Sequence, residues 1–162
     1  MCYRRRRANI PCVGRIHPPP VLFFSCLILA ALAQHFWPLA IADYSFRSGL
    51  AVGAFTLLLA ATLASWGIFE MKRRRTPIEP GRIPAGLVTT GPFRLTRNPL
   101  YLALLLVLTA LAVMGNSMWL LLGAGALLLL LDRFVVVREE AVIQRAFGSE
   151  YSAYVARVRR WL

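Results

Sequence analysis

Two short stretches of this sequence bring together side chains that can hold an anion and a cation. In the first, Asn98 is placed as the N-cap of a helix and Pro99 as its first residue, where a missing N–H costs nothing. A helix starting there presents unpaired amides and a positive dipole end between Arg94 and Arg97, a setting that suits an anionic group. Tyr101 follows Asn98 by three residues, so its hydroxyl reaches the same space. The second stretch holds Asp132, Arg133, Arg138, Glu139 and Glu140 within three helical turns. Adjacent carboxylates in an otherwise basic region suit cation binding or proton transfer. Each stretch also has a plainer reading, since a cap and a proline start many helices and interfacial charges snorkel.

The elements that must position these residues are membrane helices. Of 162 residues, 58% are hydrophobic and 16% charged, which excludes disorder, collagen and coiled coil. A soluble single domain of this size could not keep so many apolar residues from water. Apolar runs occur over 21–41, 49–69 and 100–137. The last would reach about 57 Å as one helix, nearly twice the hydrocarbon thickness, so it is expected to fold at Gly115 and Asn116 into two short spans. The expected fold is therefore an all-α integral membrane protein with four transmembrane helices, at about 21–41, 49–69, 99–114 and 117–137. A basic tail over 1–20, a cytosolic loop over 70–98 and an interfacial C-terminal segment over 139–162 complete it. In that last segment Phe147, Tyr151, Tyr154, Val158 and Trp161 recur at helical spacing, the pattern of amphipathic cytosolic helices lying in the headgroup region or covering the helix ends. Gly148 is expected to end one of these helices and Ser149 to cap the next.

Charge sets the orientation. Of 19 basic residues, 18 flank the N-terminus, the middle loop or the end of the fourth helix, and Arg47 alone falls between the first two helices. The positive-inside rule then places both termini and the middle loop in the cytoplasm. The net charge of +12 is accounted for by topology and anionic-lipid contact, so nucleic acid is not an expected partner. The N-terminal run could also be read as a signal peptide with a site at Ala31, Leu32 and Ala33, but its apolar character continues through Phe36, Trp37 and Leu39. Cys2, Cys12 and Cys26 form no disulfide framework or metal spacing, and His17 and His35 are isolated, so no metal is expected. Gly49 and Gly53 form a GxxxG pair that suggests close helix packing, while oligomeric state is not legible.

The run GLVTTGPFRLTRNPLYLAL, the later REE and the terminal FGSEYSAYVARVRRWL together resemble the isoprenylcysteine carboxyl methyltransferase family, its short bacterial members and the related phospholipid methyltransferases. The resemblance covers about residues 82–162. The family motif Arg-His-Pro-X-Tyr is represented by Arg97, Asn98, Pro99, Leu100 and Tyr101. By this resemblance these residues hold S-adenosylmethionine, joined by Leu87 and Val88 from a strand-like approach, Phe93 after the Gly-Pro turn, and Glu139. Arg133 or Arg138 would inherit the substrate contact. Asn98 replaces the family histidine and Phe93 an aromatic hydroxyl, which weakens the expectation of the prenylcysteine activity of the eukaryotic members. Asparagine still offers a donor and an acceptor.

The resemblance implies S-adenosylmethionine-dependent methyl transfer to a lipid or lipidated acceptor, in a bacterial inner membrane. A carboxylate acceptor is ionised at neutral pH and needs only an arginine to aim it. An amine acceptor must lose a proton, and Glu140 is the candidate base by position. An NADPH-dependent membrane reductase of similar architecture and a non-catalytic scaffold are the alternatives. No Gly-rich dinucleotide fingerprint supports the former.

Overall fold

The computed structural model describes residues 19–76 and 86–162, and the regular structure among them is helical. The tail up to residue 18 and the part of the middle loop over 77–85, which includes Arg82, lie outside the described residues. Helices α1 (Pro19–Phe36), α2 (Phe46–Arg73), α3 (Pro99–Met114) and α4 (Met118–Leu130) form the apolar body. A π-helical turn, Leu131–Val136, carries α4 without a break into α5 (Val137–Phe147), and α6 (Ser149–Val155) follows.

The bounds differ from the sequence expectation where local chemistry intervenes. α1 stops at Phe36 rather than near residue 41, because Trp37 precedes Pro38 and a pre-proline residue disfavours the α region. α2 begins earlier than expected, at Phe46, where the Ser45 hydroxyl accepts from the Ser48 amide at 3.1 Å. It also runs on to Arg73, its basic last turn opposing the negative end of the helix dipole. The turn between α3 and α4 lies at Gly115 and Asn116 as expected. Asn116 takes φ +44°, tolerated by asparagine, and its side chain accepts from the amides of Ile41 (3.0 Å) and Ala42 (3.3 Å). Ser117 then caps α4 through the Leu120 amide at 3.2 Å. The helix that α4 begins does not end near residue 137 but continues to Phe147.

The helices pack in the lateral order α2, α3, α4, α1. Leu108 on α3, Leu127 on α4 and Leu131 in the π turn are completely buried at the centre. Gly49 and Gly53 serve the α2–α3 contact within this chain. A Cβ on Gly53 would lie 3.0 Å from the Ala110 carbonyl oxygen and collide with Met114. The outward faces remain apolar, with Phe24, Ile28 and Leu29 on α1 and Phe55, Leu58 and Phe69 on α2 all exposed. An exposed surface of that kind is what a bilayer solvates. Three helices, Pro19–Phe36, Phe46–Arg73 and the continuous Met118–Phe147, are long and apolar enough to cross a membrane, and α3 is apolar but shorter at 16 residues.

Candidate active site

At the end of the bundle that carries the basic residues, the start of α3 lies against the start of α5. Two side-chain bridges join them. The Tyr101 hydroxyl donates to Glu139 Oε1 at 2.8 Å across a separation of 38 residues. Beside it, Arg97 Nη1 pairs with Glu140 Oε1 at 2.8 Å. Four of the residues singled out from the sequence therefore meet: Arg97, Tyr101, Glu139 and Glu140.

The π-helical turn helps set this register. One wide turn within a long helix shifts every residue after it around the axis, and such turns recur at functional sites. Here the turn contains Asp132 and Arg133, and Arg138, Glu139 and Glu140 lie in the first turn of the helix that follows. Arg133 and Arg138 are exposed, whereas the two glutamates are partly covered.

Residues after α6 run back beneath the start of α3 as a strap. The Arg97 amide donates to the Arg159 carbonyl at 3.1 Å, and the Thr96 hydroxyl and Asn98 Nδ2 both donate to the Arg160 carbonyl, at 2.9 and 3.1 Å. The Arg160 guanidinium reaches Glu140 Oε2 at 2.6 Å and Asp132 Oδ1 at 3.1 Å, and Trp161 Nε1 donates to the same Asp132 oxygen at 3.0 Å. Hydrogen bonding to Glu140, ahead of its charge and the Asp132 contacts, raises the Arg160 pKa above its ordinary value. Glu140 thus has both oxygens engaged by arginines, Oε1 by Arg97 and Oε2 by Arg160. With its lone pairs so used it is an anchor in this arrangement rather than an open proton acceptor.

α6 completes the cover. Tyr151 and Tyr154 are buried, the first with its hydroxyl 3.4 Å from Arg97 Nη1 and the second donating to the Phe93 carbonyl at 2.6 Å. Burial pushes the Tyr154 hydroxyl well above the usual phenol range, so it remains a donor. Burial also raises Tyr151, with the Glu140 charge adding to it. The apolar spacing noted over 147–161 divides at Gly148, as expected. Gly148 breaks it at φ +51°, Ser149 is the first residue of α6 rather than a side-chain cap, and Val158 and Trp161 lie beyond the helix.

The remaining candidates occupy the approach. Leu87 and Val88 lie in irregular chain rather than the strand-like approach expected, and Val88 is buried. Phe93 lies in a 3-10 turn, Gly91–Arg94, whose first residue has φ +62° against Trp66. Pro99 is buried and Leu100 packs at Gly67 of α2. Asn98 stands at the N-cap position but its side chain makes no capping bond. It ties down the strap instead. The amides of the first turn of α3 therefore keep no side-chain partner from the cap. Sequence reading did not assign Thr96, Arg160 or Trp161 to this site, and it noted Asp132 only as one of the charges of the second stretch. Arg160 is one of six arginines near the C-terminus, and nothing in its spacing distinguishes it.

The Asn98 contact has a measurable consequence. Asn98→Asp removes the donor to the Arg160 carbonyl and sets a carboxylate against it, so the strap should loosen by about 1–3 kcal/mol. Amide hydrogen exchange over 156–162 is then expected to accelerate. Asn98→His keeps a ring N–H and should leave exchange near the parent rate. Equal exchange in all three proteins would remove Asn98 from the strap's anchorage.

Comparison with known proteins adds two findings. The sequence model described as phospholipid methyltransferase matches residues 48–150, a span holding both Arg97–Tyr101 and Glu139–Glu140. An uncharacterized protein of Haemophilus influenzae is 43% identical over 65 residues, 39% of this chain and 100% of that relative. No solved structure matches the chain.

Proposed function

The chain belongs to the phospholipid methyltransferase family, and from that premise we propose that it transfers a methyl group from S-adenosylmethionine to a membrane-embedded lipid or lipidated acceptor. The observation that carries the proposal is the meeting of two distant motifs, Tyr101 on Glu139 and Arg97 on Glu140, each at 2.8 Å. The donor set suits a zwitterionic cofactor that carries an additional positive centre. Glu139 retains acceptor capacity beyond the bond from Tyr101, which fits an ammonium or sulfonium. The first-turn amides of α3 and the buried, unpaired Nε of Arg97 are donors for a carboxylate.

S-adenosylmethionine supplies an electrophilic methyl group on sulfur, so no nucleophilic side chain is required of the protein. The task of the protein residues is orientation. In this reading Tyr101 fixes the Glu139 carboxylate, and Pro99 fixes where α3 begins. Leu87, Val88, Phe93 and Leu100 form the apolar surround. Glu140 holds Arg97 in place from behind, and the strap with Tyr151 and Tyr154 excludes water. Arg133 and Arg138, both exposed, are the proposed contacts for an anionic part of the acceptor.

The proposed setting is the bacterial inner membrane, with the basic end and both termini cytoplasmic, following the charge distribution. α3 then supplies the fourth crossing. At about 24 Å it is shorter than the hydrocarbon, a mismatch that local thinning accommodates. Lipid reaches the site laterally and the cofactor reaches it from the aqueous side.

The test is transfer itself. Membranes containing the protein, given methyl-labelled S-adenosylmethionine, should place label in the organic extract. Membranes containing the Glu139→Gln variant should give background only. Label absent from the lipid fraction of both would contradict the proposal.

A further inference from the structure

A second group of charged side chains lies where α2 meets the Gly91–Arg94 turn. There α2 and the turn enclose a cleft of about 510 Å³, lined by Trp66, Glu70, Arg73, Arg74, Thr90 and Arg94 among others. Its inner wall is built. Glu70 is buried at 4% exposure, accepts a hydrogen bond from the Thr90 hydroxyl, and pairs with Arg74 at 3.6 Å. Arg74 Nη2 also reaches the Thr90 hydroxyl at 3.4 Å. Those contacts satisfy Glu70 and staple the turn to α2.

The other cations of the cleft are not satisfied in this way. Among the described residues the side chains of Arg73 and Arg94 make no hydrogen bond or close ion pair, Arg73 acting on Glu70 through its charge alone while Arg74 takes the contact, and the indole N–H of Trp66 has no acceptor. Three arginines against one carboxylate leave the cleft with a net charge of +2. Guanidinium forks beside an N–H donor are the recognition chemistry of a phosphate group. The rim adds a second property. Phe69, next to the buried Glu70, is 62% exposed, and Leu95, which lines the cleft, is 61% exposed. A phosphate site bordered by exposed apolar side chains at the basic end of membrane-length helices fits an amphiphile.

We propose that the cleft between α2 and the Gly91–Arg94 turn binds the phosphate of an anionic phospholipid headgroup, with Arg73 and Arg94 as the phosphate ligands and Trp66 as an additional donor. The arginine forks take the phosphate oxygens, and Phe69 and Leu95 meet the start of the acyl chains. Glu70 serves as the anchor of the wall rather than as a ligand. This inference concerns headgroup binding and stands without the methyl-transfer reading.

Native mass spectrometry of the detergent-purified protein with phosphatidylglycerol tests it, using diacylglycerol as the phosphate-free control and inorganic phosphate as the soluble competitor. A one-to-one phosphatidylglycerol adduct is expected, weakened at least tenfold in Arg73→Gln/Arg94→Gln. The double substitution Arg145→Gln/Arg157→Gln, which removes the same charge elsewhere, should leave it within twofold. Trp66→Phe, which deletes only the N–H and keeps the ring, should weaken it severalfold and serves if the arginine variant does not fold. Equal weakening by the two arginine pairs would reduce the site to general basicity and overturn the proposal, as would unchanged binding by Trp66→Phe. Diacylglycerol binding as well as phosphatidylglycerol would overturn the phosphate contact. Displacement by inorganic phosphate at the lipid's own concentration would overturn the lipid as its source.

Discussion

Truncating Glu140 to alanine is expected to destabilise the protein by about 2 kcal/mol, between the cost of losing an exposed ion pair and that of removing one partner from a fully buried one. The expectation rests on what the truncation strands. Arg97 and Arg160, with side chains 12% and 32% exposed, share the Glu140 carboxylate at 2.8 and 2.6 Å. Without it, Arg97 keeps only the longer contact to Tyr151, and its Nε is already unpaired. Arg160 keeps Asp132, so the strap is weakened rather than released. Thermal unfolding in detergent should show the loss, and hydrogen exchange should localise it to 156–162. Glu140→Gln retains one acceptor and should cost less. This comparison also separates the two roles the residue could have. An anchor loses stability and cofactor affinity together, whereas a general base loses turnover with folding intact. A Glu140→Gln protein that melts like the parent but has lost transfer would return Glu140 to the role of base.

Much of the candidate site's arrangement was legible because it is built from local patterns that recur. Asn98 and Pro99 marked the start of α3 to the residue, and the apolar run from 100 to 137 had to fold because it exceeds one bilayer. The acidic pair stood out against a basic background. What escaped was long-range or depended on backbone register. No local pattern announces the π-helical turn at Leu131–Val136, since its residues are ordinary helix formers. The side-chain role of Asn98 was misread because capping is the common use of asparagine at that position, while its actual partner, the Arg160 carbonyl, lies 62 residues away. The GxxxG pair was read correctly as close packing, but only the fold shows that its partner is α3 of the same chain. Trp161 was assigned to a helix face by its spacing. It is held instead by a hydrogen bond to Asp132, and its ring packs on the core that includes Leu131.

Glu139→Gln is the second substitution with a large expected effect. The change keeps size and an acceptor for the Tyr101 hydroxyl but removes the charge that would hold a cation. Affinity for S-adenosylmethionine should fall at least tenfold, about 1.4 kcal/mol. Stability should change little, because the bond from Tyr101 can be retained by the amide oxygen. Tyr101→Phe should act in the same direction and more weakly, since it frees the carboxylate to rotate while leaving its charge in place. This ordering, Glu139 above Tyr101 in cofactor affinity and Glu140 above both in stability, distinguishes a ligand, its positioning partner and an anchor.

The most direct measurement is equilibrium dialysis of radiolabelled S-adenosylmethionine against the detergent-purified protein and its Glu139→Gln variant, with labelled NADPH in parallel. The proposed site predicts one bound S-adenosylmethionine per chain, at least tenfold weaker binding in the variant, and no saturable NADPH. Saturable NADPH without S-adenosylmethionine, or S-adenosylmethionine bound equally by a folded Glu139→Gln protein, would contradict it.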